Sequence, residues 1–276
     1  MSAALTQQGN QMTIKLYWWR GEGAQDPSKQ NFGDYLSPLI VEMVSGRKVI
    51  YAEPANADMI AIGSILSRER KAKGILFKRH LHIWGSGTDK STRTFSNRHT
   101  YHAVRGTITR SQIPGLRQSP ALGDPGLLAD RWWGTRPKPR KTHRVGIIPH
   151  FVDQQDPRFH AIAKLDSVKA INVFSPIEEV LSDILRCEFI LSSSMHGLII
   201  ADAFSIPNRR IHFSTGIISD LKFDDYYSAL GMSSPEPVSP DAIIQSGLAH
   251  AVFNEDYQRP GIEQVKDDLT SAFPTF

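Results

Sequence analysis

The chain has 276 residues, room for one large or two medium domains. Its 40% hydrophobic and 22% charged residues, with 20 glycines and 17 prolines, exclude the disordered, collagenous and coiled-coil classes. A single cysteine, Cys187, excludes an internal disulfide and a cysteine-based zinc site. No apolar run reaches the ~18–20 residues of a membrane-spanning helix, and the polar start at residues 1–11 has no signal-peptide core, so a soluble cytoplasmic protein is expected.

The net charge of +4 is divided unevenly, with +12 on residues 1–143 and −8 on residues 144–276. A basic first half is expected to meet an anion such as a phosphorylated lipid or a membrane surface. Nucleic acid fits less well, since the sequence has no zinc finger, RNP-type aromatic motif or continuous basic helix.

In chain order, residues 13–19 (TIKLYWW) read as a strand followed by a loop to Gln30. A helix is predicted over residues 31–45, where Leu36, Leu39, Ile40, Met43 and Val44 form one apolar stripe and Gly46 sits at the C-terminal cap position. Short apolar runs follow at 48–51, 59–62, 81–84, 102–104 and 121–122, most of them ending in glycine, and strands alternating with helices imply a parallel α/β sheet. Residues 131–144 hold six Lys/Arg and no acid and interrupt the pattern, which places a linker at 136–143 between domains at 1–135 and 144–276. Beyond it, strands are predicted at 145–148, 171–173, 189–191 and 210–213. The strongest helix begins with Ser175 as N-cap, Pro176 at N1 and Glu178 closing a capping box, and buries Ile177, Val180, Leu181, Ile184 and Leu185. A further helix is predicted over 196–204, and a C-terminal one over 260–272, able to pack across the domain junction.

The run from Phe189 to Pro207 (FILSSSMHGLIIADAFSIP) delivers three hydroxyls and an imidazole to the first turn of a helix. There, free N–H groups and the helix dipole favour a phosphate or carboxylate. This run, with NFGDYL at 31–36, WGSG at 84–87, AVRG at 103–106, LGDPGLL at 122–128 and LKFDDYY at 221–227, resembles the polysaccharide pyruvyl transferase family, in particular members that decorate bacterial exopolysaccharides of the succinoglycan and xanthan type. The resemblance implies two Rossmann-like domains facing across a cleft in a GT-B-like α/β arrangement. It also implies transfer of a pyruvyl group from phosphoenolpyruvate, a co-substrate, to two hydroxyls of a sugar in a lipid-linked repeat unit, forming a ketal. Many members carry an arginine two residues before the histidine; here Ser194 stands there, so Arg105, Lys222 or Arg209 is expected to supply the charge.

That chemistry needs cationic or N–H partners for the donor, an acid for its methylene carbon and a base for the attacking hydroxyl. His196, Asp34 and His150 are the catalytic candidates. Ser192, Ser193, Ser194, His196, Gly197, Arg105 and Lys222 are candidates for the donor side, and Asn31, Asp34, Trp84, Gly85, Ser86 and Gly87 for the acceptor side. The route demands no metal or organic cofactor, and no metal-ligand spacing is present. Asp124 before Pro125 reads as a turn former or a catalytic acid, and Asp224-Asp225 as an exposed acidic pair at a helix start or as ligands of a divalent ion. The Trp18-Trp19 and Trp132-Trp133 pairs suit sugar stacking or packing. Residues 64–80, from Ser64 to His80, mix six cations with Ile65, Leu66, Ile75, Leu76 and Phe77 and suit either an anionic membrane surface or a solvated helix face. A nucleotide-sugar glycosyltransferase on the same architecture is the alternative reading.

Overall fold

The computed structural model describes residues 13–73, 79–214, 218–250 and 257–276. The first half contains β1 (Ile14–Tyr17), α1 (Phe32–Ser45), β2 (Val49–Tyr51), β3 (Met59–Ile60), β4 (His82–Trp84), β5 (Thr100–Val104), α2 (Thr107–Ser111), β6 (Ala121–Leu122) and α3 (Ala129–Trp133). After it come β7 (His143–Ile148), α4 (Pro157–Ile162), β8 (Val168–Ala170), α5 (Ile177–Leu185), β9 (Cys187–Ser192), α6 (Met195–Ala203), β10 (Asn208–Arg210), α7 (Leu221–Ser228), α8 (Pro240–Ser246) and α9 (Ile262–Ser271). The strands form two sheets, in the orders β2-β1-β3-β4-β5-β6 and β10-β9-β7-β8, with every pairing parallel. This is an α/β fold compatible with Rossmann-like sheets.

Both faces of each sheet are covered, as parallel sheets require. Successive strand residues point to opposite faces, so Met59 and Trp84 enter one core while Ile60 and Ile83 enter another. The largest core takes Leu16, Met59 and Trp84 from the first sheet and Ile148 and Ile190 from the second, together with Leu36 and Ile40 of α1 and Leu198 and Ile199 of α6. Backbone contacts add to it: the first-turn amide of Phe32, an orphan donor of α1, reaches the Val173 carbonyl at 2.9 Å. From α9, Lys266 Nζ donates to the Ala203 carbonyl at the end of α6, and the Trp84 indole donates to the Leu269 carbonyl, both at 2.9 Å.

The expected α1 forms, with Asn31 Oδ1 accepting from the Gly33 amide at 3.1 Å and Gly46 in the left-handed conformation at φ +64. Several other expectations need correction. Pro176, not Ser175, is the N-cap of α5, because Ser175 Oγ donates to Glu179 instead of closing a box with Glu178. The strand expected at 171–173 lies three residues earlier as β8; Ile171 follows it and still bonds the Ile147 carbonyl. The strand expected at 210–213 is β10, which ends at Arg210. The basic stretch 131–144 is partly ordered into α3 and β7, and Arg131 pairs with Asp267 of α9 at 2.5 Å. Within residues 64–80, Ile65 and Leu66 belong to the core under the first sheet, so they are not available to a lipid surface. Arg70, Lys71 and Lys73 are exposed, Arg79 pairs with Asp58, and Ile75, Leu76, Phe77 and Lys78 lie outside the described residues. Among the described residues, no helix is long and apolar enough to cross a membrane.

Candidate active site

Strand order reverses between β1 and β3 in the first sheet and between β7 and β9 in the second. Such switch points open a crevice beyond the carboxyl ends of the strands, where α/β proteins bind ligands. One cavity of about 300 Å³ is lined from both. Trp19 follows β1, Ser64 and Ile65 follow β3, His150 and Phe151 follow β7, and Ser194 to His196 follow β9 into the first turn of α6. Asn31 and Asp34 from the start of α1 and Lys222 from α7 complete the wall, with Arg68, Asp89 and Arg93 at its basic side.

Burial sets the protonation of the four titratable groups at the centre. Desolvation raises the Asp34 carboxyl to about 7; Lys222 opposes the rise and Asp124 adds to it. Lys222 falls to about 8, first through burial and then through the charges of Arg105 and Arg210, with Asp34 and Asp153 pulling the other way. His196 is lowered to about 3 by burial, Lys222, Arg105 and His150 in that order, and His150 to about 3 by burial and Lys222. Both imidazoles are therefore neutral near pH 7, and the group poised to exchange a proton there is Asp34. His196 Nε2 is closed off from solvent and has no hydrogen-bond partner within the protein. Ser194 is the N-cap of α6 but makes no side-chain cap bond.

Not every expected site residue faces this cavity. Asn31, Asp34, His150, Ser194, His196 and Lys222 come together on its wall. Ser192 is buried, with Oγ donating to the Ile148 and Ser194 carbonyls, and Ser193 is buried, donating to Asp153 at 2.6 Å while accepting from the His150 amide. The two serines tie β9 to β7 and hold the loops that carry His150 and His196. Gly197 gives room to Ser192, whose Oγ would lie 2.3 Å from a Cβ there.

Residues 84–87, expected on the acceptor side, do not line this cavity. Trp84 is fully buried against Phe273, because α9 covers it. Gly85, at φ +86, would drive a Cβ to 2.1 Å from the Pro125 ring, Ser86 Oγ donates to the Gly63 carbonyl, and Gly87 makes room for the Arg105 guanidinium. Arg105, expected on the donor side, does not line the cavity either. It is wholly buried, bonding Asp225 at 3.0 Å, Ser64 Oγ at 2.6 Å and the Thr88 carbonyl, and it reaches the cavity only through Ser64 and through its field. Asp225 is accordingly not an exposed acid. Arg209 lies on β10, away from the cavity lining. Asp124 is a turn former, accepting from the Gly126 amide at 2.9 Å. Trp133 is core and packs on Phe204, and Trp18 packs on Tyr35 and Tyr51.

Sequence reading missed Arg68 and Arg93. Arg68 stacks 4.7 Å over the Trp19 ring at the cavity wall, and Arg93 pairs with Asp89 at 2.9 Å. The excess of cations in the first half was the available signal. Among the described residues, no group of three or more His, Cys, Asp or Glu is arranged to hold a metal ion.

The sequence model of the polysaccharide pyruvyl transferase family matches residues 13–211. Among curated proteins, a succinoglycan biosynthesis protein, ExoV, of Rhizobium meliloti is 26% identical over 94% of this chain and 81% of its own length. An uncharacterized protein of Acanthamoeba polyphaga mimivirus is 26% identical over 79% of this chain and 77% of its own. No solved structure matches the chain.

Proposed function

The chain belongs to the polysaccharide pyruvyl transferase family, and on that footing we propose that it moves a pyruvyl group from phosphoenolpyruvate to two hydroxyls of an exopolysaccharide sugar, forming a ketal. The observation that carries this reading is the convergence of Asp34, Lys222, His196 and Arg68 in one cavity at the switch points of both sheets. We read the sheets as a GT-B-like pair of Rossmann-like domains, 1–135 and 144–276, joined at 136–143. The acceptor in this reading is a lipid-linked repeat unit presented at the cytoplasmic face of the membrane.

The donor is a small trianion, and it is held by cations and amides. Lys222, Arg68 and the uncapped first turn of α6 take its phosphate and carboxylate, so Arg68 supplies the charge that Ser194 lacks. Ionised Asp34 accepts the proton of the first sugar hydroxyl as its oxygen bonds to C2. His196 is held neutral first by burial and then by the charges of Lys222, Arg105 and His150. The bound anion offsets Lys222 and Arg105 and raises its proton affinity, which fits it to deliver a proton to the methylene carbon. Phosphate leaves with the bridging C–O electrons, and the second hydroxyl closes the ketal at C2. Of the two hydroxyl protons, one is balanced by the new methyl hydrogen and one by the departing phosphate.

The test is phosphate release from phosphoenolpyruvate by the purified chain, with and without a panel of synthetic and lipid-linked β-glycosides. Release that requires a glycoside supports the proposal. Turnover of a nucleotide sugar with no response to phosphoenolpyruvate would hand the site to a glycosyltransferase.

A further inference from the structure

Of the large apolar side chains that the described residues expose, the two aromatic ones are Trp19, at 40%, and Phe151, at 49%. An exposed aromatic ring costs solvation free energy, and a pair at the mouth of a cavity marks a binding surface. Both rings line the anion cavity and also a second cavity of about 370 Å³, which shares Asn31 and Asp34 with the first. Phe174 lines the second and also a third, of about 600 Å³, whose wall includes Tyr35 and Pro176. The three adjoin through these shared residues and are together called the trough, with Lys222 in the wall of the first.

The wall of the trough beyond Asp34 combines flat apolar faces with hydrogen-bonding groups. Gln154, Gln155, Glu22 and Lys29 line the second cavity together with Trp19, Phe151 and Phe174, and Glu22 and Lys29 pair with each other. A hydrocarbon chain would need an uninterrupted apolar wall. A pyranose has the complementary surface, with axial C–H groups on its faces and hydroxyls around its edge.

We propose that this trough binds the acceptor as a chain of at least three sugar units. The reacting unit lies at Asp34, and the next two lie against Trp19 and Phe151 and then against Phe174 and Tyr35. The proposal rests on the reading of the first cavity as the transfer site and adds what selects the acceptor: chain length, read by stacking.

The test uses an array of linear gluco-, galacto- and manno-oligosaccharides of one to six units, with phosphoenolpyruvate binding to the same preparation followed by calorimetry. Retention should begin at three units. Phe174→Ala, which leaves the anion cavity untouched, should cost about tenfold for three units and longer while donor binding is unchanged, and Trp19→Ala should weaken every retained glycan. Retention of single sugars with no gain on lengthening, retention that ignores both substitutions, or no retention would overturn the trough. Length-dependent retention by a chain that does not bind phosphoenolpyruvate would keep the trough and overturn the transfer reaction, while donor binding with no retention would do the reverse.

Discussion

Gly33, on the first turn of α1, lies against the imidazole of His196, on the first turn of α6. A Cβ placed on Gly33 would stand 2.0 Å from Nδ1 and 2.3 Å from Cγ. Two helix starts from different halves of the chain thus meet with no side chain between them, and the ring is held where α1 also delivers Asp34.

Substituting that glycine tests the contact. Alanine is the better helix former by roughly 1 kcal/mol, so Gly33→Ala would stabilise α1 if the site were open. The overlap with His196 should reverse the sign, for a net loss of roughly 1–3 kcal/mol by chemical unfolding together with a large loss of turnover. His196→Ala removes the ring and leaves only that residue's own Cβ, 2.6 Å from the added carbon, so Gly33→Ala should cost less in the His196→Ala background than in the parent. An equal cost in the two backgrounds would show that the helices are not packed through this ring.

The elements around this contact are legible in the sequence because their signals are local. The stripe Leu36, Leu39, Ile40 with Asn31 before it and Gly46 after it specifies α1, and a buried strand running into SSSMHG specifies β9 and α6. Contacts across many residues carry no such signal. Arg105 looks like a ligand-facing arginine at a strand end until Asp225, 120 residues away, claims it. Trp84 looks like an acceptor-facing aromatic at a strand end until α9 covers it. Arg68 sits in an irregular 3-10 segment with no periodicity to show which way it faces. The shifted cap of α5 is the usual one-residue ambiguity where two capping residues stand side by side.

The pH profile follows from the two groups of the cavity wall that titrate near neutrality. In the proposed reaction Asp34 is ionised to accept a proton, so kcat/KM should fall as pH drops through about 7, and Lys222 is protonated to hold the donor, so it should fall again as pH rises through about 8. The expected curve is a narrow bell between them. Asp34→Asn should lower the rate by about 10²–10⁴-fold and remove the acid limb from what remains. Stability should move the other way. A carboxyl raised from 3.8 to about 7 binds its proton more tightly in the folded state, so the native protein loses stability as pH rises across that window. Asp34→Asn should therefore be more stable than the parent above pH 7 and equal to it below pH 4. A parent profile flat from pH 6 to 9 would remove both groups from the chemistry.

The buried pair Arg105–Asp225 links the loop after β5 to α7. Asp225 lies three residues beyond Lys222, and it also accepts from the Thr109 amide and hydroxyl at 2.8 and 2.6 Å. Asp225→Asn leaves a buried guanidinium without its counter-charge and should cost on the order of 3 kcal/mol in urea unfolding. Arg105→Met removes a cation that depresses Lys222, so the alkaline limb of the rate profile should move upward. A simple loss of packing would lower the rate without moving that limb.

The reaction itself is tested most directly by its hydrogen. Run in heavy water on a glycoside found to release phosphate, pyruvyl transfer through a solvent-exchangeable acid should place about one deuterium in each ketal methyl, read by NMR and mass spectrometry of the product. A product that carries an unsaturated methylene, or a glycan extended by a sugar with no pyruvyl group attached, would contradict ketal formation at the cavity of Asp34, Lys222 and His196.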